Sequence, residues 1–571
     1  MASSTASAEK LSITNEKIDQ ASASVTNESV RNDDPEKSAV AADGVPLETE
    51  KSNWNKPLRF YLAFFCLLLM VLMVSIDATA LGVAIPTLTT ELHGTTVLAF
   101  WTNISFMLIV AIVQPIYASV SDILGRKPPL YFAFVLFGIG SIVFATAPAM
   151  RVAILGRVLQ GMGGGGLDVL SEVIVADITT LKERALWIGL LSIPMATGCI
   201  LGPVIGAIFS EYATWRWIGW INLPIIGIAL PLAIFFMRLK PMEDDLKTKL
   251  SNIDWIGIGL FTVGSTLFVV PLSWAGGMYP WGSWRTIVPL VIGVLLLIAF
   301  AFYERYPTRA VFPYRIFKSV TARVTLFGAF IHGLVLYALL TYLPLYYESV
   351  RLEAPLQAGV SILPFCAVVM AFTGITAAGV DYFRKYLWEI WAGWVFLAVG
   401  VGLFSLLTRE SSLAVTASFQ VIAGIGLGTI FTVPPIPMQA SAPTAEDQGL
   451  AIGILVSFRL FGGLIGLAIG ATAFSTTFAK SIAALGELPE AVSILENSNQ
   501  AIGFIPYLRE LDVPQEVINP ILHSYDSSWR AVWYILAGFG AAGAIGSLFT
   551  KELSLESDDK GRQHMDDESS S

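Results

Sequence analysis

The sequence predicts an all-α protein that crosses a membrane many times. Three observations predict it. Of 571 residues, 54% are hydrophobic and only 14% charged, against roughly 25% charged in soluble domains, and the mean hydropathy is +0.66. The chain holds about fourteen apolar runs long enough for a helix to span hydrocarbon, which takes roughly 20 residues at about 1.5 Å each. Lys and Arg are abundant in every second connection and sparse in the others, as expected of a polytopic chain with its basic loops inside.

Residues 1–58 are rich in Ser, Thr, Ala, Glu, Asp and Lys, have no apolar period, and read as a disordered tail. No signal peptide opens the chain, so the first apolar run is its own membrane signal. The runs fall at 60–86, 96–117, 129–148, 152–177, 186–209, 217–238, 254–273, 286–304, 322–347, 357–378, 386–407, 413–434, 449–473 and 530–550. An even count places both termini on one side. Lys51, Lys56, Arg59, Arg126, Lys127, Lys182, Arg184, Arg238, Lys240, Arg315, Lys318, Arg384, Lys385 and Lys551 make that side cytoplasmic. The acidic connection 435–448 breaks the alternation, and the long connection 475–528 is then non-cytoplasmic, either a small packed cap or a spacer. Residues 551–571 form a short cytoplasmic tail.

The fourth run carries a polar face. From Arg157, the residues Gln160, Gly161, Gly164, Asp168, Ser171 and Glu172 follow at helical spacing along one side. Such a face turns into a bundle or a wet cavity, because charge in lipid is costly, and intramembrane ionisable residues are functional by default. Asp177 falls on the opposite face. In the fifth run Gly198, Gly202 and Gly206 recur every fourth residue beside Pro203, a ridge that lets another helix approach closely.

The chain also repeats itself. Arg157-x-x-Gln160-Gly161-x-Gly163-x-Gly165 in the fourth run matches Gln420-x-x-Ala423-Gly424-x-Gly426-x-Gly428 in the twelfth. Asp122-Ile-Leu-Gly125-Arg126-Lys127 before the third run matches Asp381-Tyr-Phe-Arg384-Lys385 before the eleventh. Runs one to six (59–238) and nine to fourteen (321–550) therefore read as related six-helix halves, with two helices inserted across 239–320.

These residues resemble the fourteen-helix drug:proton antiporter branch of the major facilitator superfamily, in particular its fungal members, over about residues 55–550. Asp77-Ala-Thr79-Ala-Leu-Gly-Val-Ala84-Ile-Pro86 resembles the branch's first-helix motif. The loop motif keeps Asp122, Gly125, Arg126 and Lys127 but has Ile123 where the family has an arginine. Arg157, Gln160 and Gly161 match the fourth-helix motif. Gly198, Gly202, Pro203 and Gly206 match the antiporter motif, with Ala207 replacing its last glycine, and Trp215-Arg216-Trp217 with Asn222-Leu-Pro224 is typical of the branch. The resemblance implies the major facilitator fold, alternating access and proton-driven export. It also implies that Asp122 faces the start of the thirteenth helix near Gly449.

Site candidates follow. Asp77 and Arg157 lie at similar depths, about 13 Å and 9 Å by helical rise. A carboxylate facing an arginine there can exchange a proton for an ion pair, or hold a static one. Asp77 is the first candidate for proton coupling, with Asp168 and Glu172 as alternatives that also suit a cationic substrate group. Arg157, Gln160, Asn103, Gln114, His332, Gln420 and Arg459 are candidates for the lining of a central substrate cavity. Asp122, Gly125, Arg126 and Lys127 are candidates for gating.

Other classes are disfavoured. Four histidines form no catalytic pair, and Gly161–Gly166 lies inside an apolar helix where it serves packing rather than a phosphate. Net charge −9 without a basic patch excludes a nucleic-acid partner. The three cysteines all lie in apolar runs, so no disulfide framework or metal site is expected, and no cofactor. The expected protein is a monomeric proton-coupled exporter of small organic molecules, a drug, toxin or secondary metabolite, in the plasma membrane. The alternative is an uptake or vacuolar transporter for a siderophore or basic amino acid.

Overall fold

The computed structural model describes residues 56–93, 96–240, 245–275, 279–307 and 309–556. Most of the tail expected over 1–58 and of that over 551–571 lies outside the described residues, and Leu58 already belongs to the first helix. Every apolar run falls on a helix: α1 Leu58–Glu91, α2 Thr96–Leu124, α3 Lys127–Ala145, α4 Met150–Ile178, α5 Arg184–Tyr212, α6 Asn222–Phe235, α7 Trp255–Trp274 and α8 Trp284–Tyr303. There follow α9 Val320–Val350, α10 Leu363–Phe383, α11 Leu387–Leu403, α12 Leu413–Thr432, α13 Gln448–Ala483 and α14 Gln515–Ser547. Among the described residues there is no strand, only an isolated bridge between Ala275 and Tyr279.

Twelve helical segments among the described residues are long and apolar enough to cross a membrane. Outside that group stand α4 and α14, which carry more charge: Arg151, Arg157, Asp168, Glu172 and Asp177 in one, Glu516, Asp526 and Arg530 in the other. The connection expected over 475–528 is shorter than the apolar pattern indicates. α13 runs on to Ala483 and α14 starts at Gln515, because both helices continue beyond their apolar cores. There Phe478 and Ile482 pack with Ile521 and Tyr525. Between them, short 3-10 turns bury Val492, Leu495, Ile505 and Leu508 in the same core, so this connection is a packed cap.

Helix packing follows a repeated scheme. α1 lies on α5, and α2 and α3 lie on α4; α9 lies on α13, and α10 and α11 lie on α12. The offset is eight helices throughout. Contacts between the two sets obey it too, since α5 meets α10 and α13 meets α2. α7 and α8 pack on each other, and α7 touches α2 and α13.

Two loops turn through left-handed residues at equivalent places. Gly125 has φ +95° between α2 and α3, and Arg384 has φ +55° between α10 and α11. Glycine adopts that conformation without steric cost, and here it sends Arg126 back beneath α2. The ridge of α5 meets α1 closely: a methyl group at Gly198 would crowd Ser75, one at Gly202 would strike Thr79, and one at Gly206 would strike the carbonyl of Ala80. Thr79 Oγ1 donates to the Gly198 carbonyl at 3.1 Å across this contact.

Substitution Gly206→Ala is expected to destabilise the purified protein by about 1–3 kcal/mol through overpacking against α1. Gly227→Ala on α6, where nothing lies within 4 Å, is expected to leave the thermal unfolding midpoint unchanged. Equal midpoints for the two variants would refute the close approach of α5 to α1.

Candidate functional site

Five helices converge on one buried carboxylate. Asp77 of α1 pairs with Arg157 of α4, and both are fully enclosed. The Gln160 amide donates to Asp77 Oδ1 at 3.0 Å and to Ser141 Oγ of α3 at 2.9 Å. The Asn222 amide of α6 donates to the same Oδ1 at 2.9 Å. Arg157 also donates to Gln160 Oε1 at 2.9 Å and to the Thr102 carbonyl of α2 at 3.1 Å. Its guanidinium lies 4.2 Å over the Phe106 ring. The carboxylate thus accepts from a cation and two amides, and the planar, forked guanidinium serves several acceptors at once. The similar depths of Asp77 and Arg157 expected from helical rise do bring the two side chains together.

A second polar group lies further along the same face of α4. Asp168 accepts from the Gln114 amide of α2 at 2.7 Å. One turn on, Glu172 faces Arg459 of α13 at 3.8 Å, beyond a hydrogen bond but close enough for strong attraction. Arg459 donates to the Phe431 carbonyl at 3.2 Å and lies 4.3 Å over the Phe431 ring. Unlike Asp77, the Glu172 side chain keeps 14% exposure. His332 of α9 meets the Phe431 ring edge to face, its Nε2 3.3 Å from the Leu427 carbonyl.

Phe431 also lines a pocket between the two sets of helices. Its other walls include Ser192 and Met195 of α5, Leu336 of α9, and Phe365 and Thr373 of α10. The lining is almost wholly apolar, with Arg459, Glu172 and His332 grouped around one aromatic wall. Gln420 sits apart from it. Its amide donates to Tyr347 Oη at 2.6 Å and to the Ser361 carbonyl at 2.8 Å, and its Oε1 accepts from Phe365 N–H at 3.1 Å. The Asn103 side chain lies outside the described residues.

The Asp122–Lys127 end is closed by a third network. Arg126 donates to Asp177 Oδ2 at 2.7 Å and to Ser121 Oγ at 2.9 Å, and its guanidinium stands 3.6 Å from Asp122. Arg126 and Asp177 abut Gly449 in the first turn of α13, so the loop faces that helix start through Arg126. Lys127 opens α3. Arg184 donates to Gln439 and Gln448, each at 2.7 Å, and to the carbonyls of Ala176 and Thr179. Arg315 grips Asp447 through contacts of 2.8–3.0 Å, and this ion pair raises the Arg315 pKa further.

Sequence reasoning missed several members of these groups. Ser141 carries no signal of its own. Asn222 stands in a branch-typical motif that names no partner. Arg184 reads as a loop cation, and Asp177 lies opposite Arg157 because a different helix supplies its cation.

A family model described as Major Facilitator Superfamily matches residues 67–467. The chain is 45% identical over 516 residues to the MFS-type transporter sphD of Aspergillus fumigatus, covering 90% of this chain and 89% of the relative. It is 32% identical over 526 residues to the efflux pump FUS6 of Gibberella moniliformis, covering 91% and 92%. Its fold is similar to that of the proton:xylose symporter XylE bound to 6-bromo-6-deoxy-D-glucose, with a TM-score of 0.57 at 12% identity over 88% of this chain and 98% of that one.

Removing one partner of a buried pair strands the other, at a cost of about 3–5 kcal/mol. Arg157→Ala is expected to lose that much stability in detergent, and the double variant Arg157→Gln with Asp77→Asn is expected to regain part of it. A double variant no more stable than Arg157→Ala would contradict the pairing.

Proposed function

This chain belongs to the major facilitator superfamily, and on that premise we propose that it exports small organic molecules in exchange for protons by alternating access. It is an integral multi-pass transporter and not an enzyme. The observation that carries the proposal is the pair Asp168 and Glu172, one turn apart on α4, with Arg459 of α13 facing Glu172 beside an apolar pocket. A carboxylate with some exposure next to a cation from another helix can trade that cation for a proton as the helices part. Asp77 is enclosed by Arg157, Gln160 and Asn222, an arrangement that suits a fixed strut, so the coupling role goes to Asp168 and Glu172.

The apolar pocket suits substrates with an apolar body, with His332 and Arg459 against its Phe431 wall and Gln114 on Asp168. Arg157, Gln160 and Gln420 hold the surrounding helices. The α5 ridge of Gly198, Gly202, Pro203 and Gly206 supports an antiporter, and a relative named as an efflux pump supports export. Asp122, Gly125, Arg126 and Lys127 serve the gate at the closed end.

The proposed path has fourteen crossings, the twelve apolar segments together with α4 and α14. These two have 29 and 33 residues, or about 44 and 50 Å at 1.5 Å per residue, more than the roughly 30 Å of hydrocarbon. Halves α1–α6 and α9–α14, with α7 and α8 inserted, agree with the eight-helix offset in packing. Both termini then lie in the cytoplasm, with the plasma membrane as the site of export.

The test uses proteoliposomes with an imposed pH gradient and a neutral apolar fluorescent dye as cargo. Wild type is expected to move dye against its gradient. Asp168→Asn or Glu172→Gln is expected to cut that uphill rate by about tenfold or more while sparing dye equilibration. If both variants keep gradient-driven transport, these carboxylates are not the carriers. A wild type indifferent to the pH gradient would refute antiport itself.

A further inference from the structure

At one end α7 and α8 close on two acids that take no part in the path described above. Asp254 is the N-cap of α7: its Oδ1 accepts from Gly257 N–H at 2.8 Å and from the Tyr303 hydroxyl at 3.1 Å. Glu304 follows the last residue of α8 and is 3% exposed. Its Oε2 accepts from Phe312 N–H at 3.0 Å. The other two oxygens, Asp254 Oδ2 and Glu304 Oε1, are both buried without a hydrogen-bond partner. They reach the same point, because a methyl group on Gly257 would touch Asp254 Oδ2 and lie 3.0 Å from Glu304 Oε1.

Two acids whose buried oxygens face one point, with no cation paired to either among the described residues, cannot both stay ionised at low cost, and a proton held between them removes the repulsion. We propose that Glu304 Oε1 binds a proton and donates it to Asp254 Oδ2, so that this end of the α7–α8 pair is a proton switch separate from the transport path. The placement of the proton follows from the donors. Asp254 caps the N-terminus of α7 and its Oδ1 already accepts two hydrogen bonds, which leaves Oδ2 as the free acceptor. Glu304 accepts from Phe312 N–H on Oε2, which leaves Oε1 for the hydroxyl. Burial pushes the Glu304 carboxyl up to about 7, with the Phe312 N–H opposing and the Asp254 charge adding. The groups facing it are Asp254 from α7, Tyr303 from α8, and the N–H groups of Val311 and Phe312 from the linker. α2 and α13 turn the apolar Ile116 and Phe461 toward this cluster, and the Arg305 guanidinium lies over Phe302 and Tyr314 instead.

The switch has a lever. Glu304 holds Phe312, which packs with Phe261 and Phe300 at ring distances of 5.4 and 5.7 Å and with Phe458 of α13 at 6.3 Å. Three residues on, Arg315 grips Asp447 immediately before α13. The sign follows from linkage. A carboxyl raised from its ordinary 4.5 to about 7 binds a proton in the packed state that the released state gives up. The packed linker is therefore favoured at low pH, weakens as pH rises across that interval, and gains nothing further below it. Alkaline pH at this face loosens the start of α13, and acid pH clamps it.

The full-length protein in lipid nanodiscs tests this by difference infrared spectroscopy and amide exchange, from about pH 5 to about pH 9. The wild-type spectrum minus that of Glu304→Gln, in which the other acids cancel, is expected to contain a protonated-acid carbonyl band that disappears as pH rises through about 7. Exchange of amides in 309–315, corrected for intrinsic pH dependence, is expected to accelerate over the same interval in wild type and to stay slow in Glu304→Gln, whose amide can still donate to Asp254. Absence of that band from the wild-type-minus-Glu304→Gln difference overturns the assignment, and so does pH-independent exchange of 309–315 in wild type. Loss of the band at constant low pH on adding magnesium or calcium would mean that a cation, not a proton, joins the two acids. These readouts involve no transport and stand apart from the test of antiport.

Discussion

A charge placed in hydrocarbon must find its partner inside the bundle, and that requirement arranges this structure. Three ionic contacts join elements distant in sequence: Asp77 with Arg157, Arg126 with Asp177, Glu172 with Arg459. The partners meet only where backbones come close, and glycine permits it. The α5 ridge lets α1 approach at Ser75–Ala80, the stretch that holds Asp77. The polar contacts and the glycine contacts are therefore two parts of one arrangement: small residues set the distance, and charge sets the register.

The two repeats solve the same problem with different chemistry. Arg157 and Gln420 stand at equivalent places in α4 and α12. Arg157 carries charge, so it requires Asp77, and the carboxylate in turn recruits Gln160 and Asn222. Gln420 is neutral and is satisfied by a phenol, a carbonyl and an N–H. The first site ties α1, α2, α3, α4 and α6 together, while the second ties α9, α10 and α12. An enclosed ion pair is costly to break from either side, which makes the α1–α6 cluster a stiff body against which the partially exposed Asp168 and Glu172 are displayed.

The apolar runs were legible because their length is a property of the lipid. Helix ends were legible only to the edge of that slab. α13 and α14 continue past it, and their outer turns, with Phe478, Ile482 and Ile521, read as loop because hydropathy there no longer marks a span. Asp77 and Arg157 could be paired from sequence because depth along a helix is countable. The partners of Arg126 and Arg184 could not, because Asp177, Gln439 and Gln448 come from other helices at angles no wheel contains. Asp254 and Glu304 were hidden more completely. They stand far apart in sequence, one before α7 and one after α8, and each alone is an ordinary polar residue beside an apolar run.

α13 is where these constraints meet. Its first turns lie flat against Arg126 and Ala118 through Gly449 and Gly453, and its second half lies flat against α9 through Gly462 and Gly466. Between them Arg459 faces Glu172. The two contacts differ in kind. Against α9, glycine meets the carbonyls of Phe330 and Leu334 within one packed pair of long helices. At the Asp122–Lys127 end the glycine contact is reinforced by exchangeable polar bonds: Arg184 to Gln439 and Gln448, and Arg315 to Asp447. Bonds of that kind can be remade to water when the ends separate, at a small net cost for each, whereas peeling α13 from α9 would expose packed surface with no such replacement. On the proposed alternating access, opening at this end would carry α9 and α13 away together, taking Arg459 from Glu172 in the same movement. In the exchange proposed above, the separation of one arginine from one carboxylate would accompany the opening of the path.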